Sequence, residues 1–163
     1  MIRKDGLPGE QNVPLQTLRE WIRSDDPLLH YLAFHTAYSH PDTVSGLSDE
    51  ERLDICLLFL EAGISGRYGE AIPDGPYVLA HTVLGWLRVL TESDNPFSQT
   101  EARAILRMIE CVARRGDPAT REVLLLGILE HAFQSQATRA LFDEWLADPQ
   151  LARLYQEAVD LSR

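Results

Sequence analysis

The sequence predicts an all-α protein of about eight helices, arranged as a single-domain irregular helical bundle or a short stack of antiparallel helical pairs. Three observations predict it. Asp-Pro occurs at Asp26-Pro27, Asp117-Pro118 and Asp148-Pro149, and each pair supplies an N-cap acceptor followed by the residue best suited to the first helical position. Ser48 with Glu51 and Ser98 with Glu101 have the spacing of capping boxes. Convincing runs of alternating β-branched residues, the mark of strands, are missing.

Residues 1–12, with Gly6, Pro8 and Gly9 and little apolar spacing, read as a loose tail. A single helical domain is expected from residue 13 to residue 163. The first helix runs from Pro14 to about Arg23, with Leu15, Leu18 and Ile22 on one side. The second starts at Asp26-Pro27 and carries Leu28, Leu29, Leu32 and Ala33 to about Ser39. Ser48 launches the third through Leu53, Cys56, Leu57 and Leu60, and Gly63 is placed to stop it.

The Gly- and Pro-rich stretch from Gly63 to Pro76 cannot be regular helix. A fourth helix spans about Pro76 to Thr91, and a fifth runs from the second capping box to Arg115-Gly116. Asp117-Pro118 starts the sixth, to about Gln134. A seventh covers roughly Ala137 to Ala147, and the eighth runs from Asp148-Pro149 to the end of the chain.

The sixth helix, REVLLLGILEHAF, is apolar nearly all round and is therefore expected at the centre of the domain. Gly127 within it costs about 1 kcal/mol of helix propensity against Ala, which a close helix crossing would offset. The passage VLGWLRVL around Gly85 is similar to LLGILEHA around Gly127, about 42 residues on. That offset lies within the roughly 40–47-residue period of paired-helix repeats. Leu-rich composition explains the likeness equally well.

At 163 residues the chain is long enough to bury a sizeable core, and 45% apolar content is ordinary for a globular protein. The charge is −10, from 25 acidic and 15 basic residues. Such a balance argues against nucleic-acid binding and against anionic membrane, both of which require a surplus of Lys and Arg. It favours encounter with basic partners, or serves solubility alone. No apolar run suits a membrane span, MIRKDGLPGEQN lacks the apolar stretch of a signal peptide, and a cytoplasmic location is expected.

Two cysteines make no disulfide framework of the secreted type. Cys56 sits among Leu53, Leu57 and Leu60, and Cys111 on a stripe with Ala104 and Met108, so both read as core residues.

Catalytic, metal and cofactor sites are not expected. His30, His35 and His40 step by five and leave a single helix face, and Glu130-His131 lacks the second His of a zinc helix. His81 and His131 lie on strongly apolar helices and read as hydrogen-bonded core residues. Gly63-Ile-Ser-Gly66 is followed by Arg67, where a nucleophile elbow needs Gly, and no strand precedes it. Carboxylate clusters at Asp25-Asp26, Asp49-Glu50-Glu51 and Asp143-Glu144 sit at helix starts or solvent faces, where acid charge is ordinary. The reading is of a protein that is not an enzyme.

The segment Gly63–Tyr77 is the candidate binding element. It combines backbone freedom with Arg67, Tyr68, Glu70, Asp74 and Tyr77, and long loops in compact domains often bind. Tyr and Arg are also enriched at interface hot spots. The alternative is an irregular connection whose tyrosines pack on the bundle. A second polar loop, Ser39–Gly46 with Asp42, would lie at the same end if the helices pair antiparallel.

The C-terminal passage EVLLLGILEHAF, followed by LFDEWLADPQLARLYQEAV, resembles the C-terminal part of a family of small all-helical bacterial proteins. Their pattern is an apolar GxLE helix, a helix bearing Trp, and a terminal helix behind an Asp-Pro-like cap. Here these are Gly127-Ile-Leu-Glu130, Trp145 and Asp148-Pro149, within residues 117–161. Proteins of this kind are similar to immunity proteins of toxin systems, so the resemblance implies a protein that binds and neutralises a cognate bacterial toxin; the acidic charge suits a basic toxin, met through an acidic, loop-containing surface. The matching positions are core and cap residues and carry over no site. A helical adaptor or scaffold with an endogenous protein partner is the alternative.

Overall fold

A computed structural model describes residues 12–163; the expected tail, residue 12 apart, lies outside the described residues. The fold is all-α, with about eight helices and no strand among the described residues. The chain forms two compact units, the first reaching to Phe59 and the second covering Leu60–Arg163.

The first unit contains α1 (Leu15–Arg23), α2 (Pro27–Ser39), a 3-10 turn at Pro41–Thr43 and most of α3 (Asp49–Ile64). Asp26 caps α2 by accepting from the Leu28 N–H at 2.9 Å, as the Asp-Pro signal predicts. The Ser48 hydroxyl accepts from the Glu51 N–H at 3.1 Å, which is half of a capping box. The Glu51 carboxylate goes elsewhere. It takes Nε and Nη2 of Arg19 in a two-point ion pair at 2.6 and 3.1 Å, joining α1 to the start of α3.

Of the apolar residues the sequence places along α2, not all turn inward. Ala33, Phe34 and Ala37 are buried, whereas Leu28 and Leu32 are exposed. Phe34 stacks on Phe59 of α3 with centroids 4.6 Å apart, so the aromatic ring decides which side of α2 turns inward. Cys56 is fully buried, as expected.

The second unit holds α4 (Pro76–Thr91), α5 (Pro96–Arg115), α6 (residues 118–132), α7 (Gln136–Ala140), a 3-10 turn at Asp143–Ala147 and α8 (Pro149–Leu161). Helix α6 begins under an Asp117 cap, with the Thr120 N–H 2.8 Å from Oδ1. It packs against α4, α5 and α8, the central place its all-round apolarity predicts. Its middle, Leu125–Leu129, is wound as π-helix, and the Glu130 N–H reaches the Leu125 carbonyl. Gly127 faces Ala80 of α4 in the expected close crossing. Gly85 is exposed with open space around it, so the two glycines of the apparent repeat stand in unlike places.

Four further expectations are corrected. The second capping box does not form. Asn95 caps α5 through the Phe97 N–H, with Pro96 at the first helical position. Ser98 is instead buried, its hydroxyl bonded to that of Ser93, and Glu101 accepts the Trp86 indole N–H at 3.0 Å. Gly63 lies inside α3 rather than after it. A Cβ there would come within 2.1 Å of Leu79, so close packing requires glycine.

The seventh helix is only Gln136–Ala140, and a 3-10 turn replaces its second half. Phe142 and Trp145, three residues apart, are both buried there, matching a three-residue turn. Cys111 is exposed, because the buried stripe of α5 follows Ile105, Met108, Ile109 and Val112 and leaves it at the flank.

Candidate functional site

The segment after α3 is ordered by its own backbone. The Ser65 N–H bonds to the Glu61 carbonyl, Gly66 to Gly63, Arg67 to Ala62, Gly69 to Gly66 and Ala71 to Tyr68, all at 3.0–3.2 Å. Gly66 and Gly69 adopt φ of +74° and +53°, the left-handed region that favours glycine and lets the chain fold back twice. Ile72 is buried and pins the far end of the segment. The stretch is thus irregular and closely bonded, a fixed platform rather than a loose connection.

Side chains fasten its near end. Oε1 of Glu61 accepts from Arg67 at 3.3 Å and from Arg115, on the last turn of α5, at 2.7 Å. Around them lies a cleft of about 230 Å³, also lined by Ser65, Asp117 and Thr120. The Thr120 N–H holds the Asp117 carboxyl below the usual carboxylate range. Two guanidinium groups share one glutamate oxygen here, and the Asp117 carboxylate in the same cleft balances the second positive charge. The sequence does not mark Glu61 and Arg115 as a pair, because they are distant along the chain and nothing periodic links them.

The expected binding residues separate into distinct positions. Arg67 and Glu70 are exposed on the platform, and Asp74 is half-buried near its end. Tyr68 is half-buried beneath, and burial raises its phenol above the ordinary value. Tyr77 stands at the first turn of α4, 43% exposed. Asp42 is exposed in the 3-10 turn of the first unit.

Beyond Tyr77 the outer face of α4 continues through Val78 (53% exposed), His81, Gly85, Arg88 and Val89 (64% exposed). Helix α4 contains no acidic residue, a signal that was readable in the sequence. His81 and His131 are not core residues. His81 is exposed and His131 half-buried, and their rings meet edge to face with centroids 5.5 Å apart. His131 follows the π-helical turn of α6, and Arg88 donates to its carbonyl at 3.2 Å.

Among the described residues, no group of three or more His, Cys, Asp or Glu side chains is arranged to hold a metal ion. No helix of these residues is long and apolar enough to cross a membrane. No protein-family model, curated protein or solved structure matches the chain.

Proposed function

We propose that this protein is a binding protein without catalytic activity, acting in the cytoplasm as an immunity protein that neutralises a cognate bacterial toxin. The observation that carries the proposal is the platform of residues 65–75 and its continuation onto α4. It presents Arg67 and Tyr77 on backbone fixed by hydrogen bonds and a buried Ile72. Tyr and Arg on preorganised backbone bind at low entropic cost. The charge of −10 supports a basic partner through long-range steering, and Glu70 and Asp74 supply carboxylates on the platform itself, beside an Arg67 that is already paired with Glu61.

The test is co-expression with the toxic product of a neighbouring gene, together with direct binding of the two purified proteins. Protection of growth is expected, and Arg67→Glu combined with Tyr77→Ala is expected to weaken binding and remove protection. Absence of both binding and protection sinks the proposal. A second reading, a helical adaptor for an endogenous partner, is favoured by the acid-free, partly apolar outer face of α4. Stable complex formation without any protection would select it.

A further inference from the structure

A second surface of Leu60–Arg163 is built around two arginines of α5. On α5, Arg103 and Arg107 are four residues apart, which places them on one helix face with roughly 5–6 Å between their Cβ atoms. Both are exposed, and neither has a carboxylate partner among the described residues. They open onto a cleft of about 490 Å³ between α5 and the segment from Leu141 to Leu151.

One wall of the cleft is fixed. Arg114 donates to Glu110 at 2.9 Å and to Asp148 at 2.8 Å, and the same Asp148 caps α8 through the Gln150 and Leu151 N–H groups. Glu110 and Asp148 are thereby engaged, and of the three arginines and three carboxylates that line the cleft, Arg103, Arg107 and Glu144 are outside this ion-pair cluster. Trp145, 4% exposed, closes the floor. Glu144 is exposed at the rim.

We propose that this cleft binds a short acidic segment of a protein partner, with one carboxylate on Arg103 and a second on Arg107. Guanidinium forks match carboxylates at two points. The cleft is far larger than a simple oxyanion needs, so a chain segment fills it better than an ion. Glu144 and the net charge of −10 oppose a dense polyanion such as nucleic acid. The proposal is independent of the toxin reading, which concerns the platform and α4.

The test is titration of the full chain with a short blocked peptide carrying two glutamates, followed by fluorescence anisotropy of a labelled peptide. Peptides with glutamine or lysine in place of glutamate, inorganic sulfate and polyphosphate serve as comparison ligands. Saturable binding of the glutamate peptide is expected, weakened at least about tenfold by Arg103→Glu with Arg107→Glu and partly kept by the two Arg→Lys changes. Circular dichroism of each variant establishes that it is folded, and Arg103→Gln with Arg107→Gln replaces the charge reversal if that variant is not. Absence of saturable binding overturns the proposal. So does equal binding of the glutamine peptide, equal or tighter binding of sulfate or polyphosphate, or affinity unchanged in the folded double variant.

Discussion

Gly127 and Ala80 face each other so closely across the α4–α6 crossing that a methyl group on Gly127 would lie 2.7 Å from the Ala80 Cβ. The obstacle is a rigid Cβ on a helix, so relief requires the two helices to separate. Gly127→Ala gains about 1 kcal/mol of helix propensity against an overpacking cost of about 1–3 kcal/mol. Net destabilisation is expected. Gly85 meets nothing within 4 Å, so Gly85→Ala keeps the propensity gain and is expected to stabilise by up to about 1 kcal/mol. Urea unfolding of both variants checks the opposite signs, and stabilisation by Gly127→Ala would contradict the crossing.

Arg52 closes the end of α2 without using a carboxylate. Its Nε donates to the Ala37 carbonyl at 2.7 Å and its Nη2 to the Tyr38 carbonyl at 3.2 Å. Carbonyls in the last turn of a helix lack intrahelical partners, and a cation there also meets the negative end of the dipole. Arg52→Ala is expected to lower stability by roughly 1–2 kcal/mol. Arg52→Lys recovers only part of it, because a lysine cannot present the same planar fork. Full recovery by lysine in denaturant melts would reduce the role to charge alone.

Three carboxyls have values below their ordinary range. Arg19 lowers Glu51 by hydrogen bonding, the Thr120 backbone N–H lowers Asp117, and Arg114, followed by the Leu151 N–H, lowers Asp148. A folded-state value below the unfolded one gives stability that is present above the unfolded pKa, about 4. It is lost as pH falls through the lower folded value. The unfolding midpoint is therefore expected to decline below about pH 4 from these groups. Asp148→Asn should lower the midpoint at neutral pH and make the acid decline shallower. An equally steep decline in that variant would remove Asp148 from the set.

Helix starts were legible where a single local interaction decides them. Asp26, Asp117 and Asp148 each accept from a backbone N–H two or three residues on, and that depends on nothing distant. What required tertiary structure was every case of competing partners. Glu51 fits a capping box by spacing but binds Arg19, and Glu101 likewise binds Trp86. Gly63 fits a helix stop, yet serves the approach of Leu79. At the candidate site, Arg67 and Tyr77 could be picked out by residue type and loop setting. The pairing of Glu61 with Arg115 could not, since a contact between distant chain positions leaves no periodic trace.

The platform after α3 has two fastenings of unlike strength. Glu61 holds Arg67 and Arg115 at a partly exposed ion-pair cluster, and such clusters contribute about 0–1 kcal/mol. Ile72 is 6% exposed, and truncating a buried isoleucine to alanine costs about 2–5 kcal/mol. Glu61→Gln is therefore expected to leave global stability within about 1 kcal/mol while speeding amide exchange at Arg67 and Gly66. Ile72→Ala should lower global stability and speed exchange from Gly66 to Ala71 together. Hydrogen exchange read by NMR separates the two. If Glu61→Gln unfolds the protein as readily as Ile72→Ala, the ion pairs rather than the buried side chain anchor the platform.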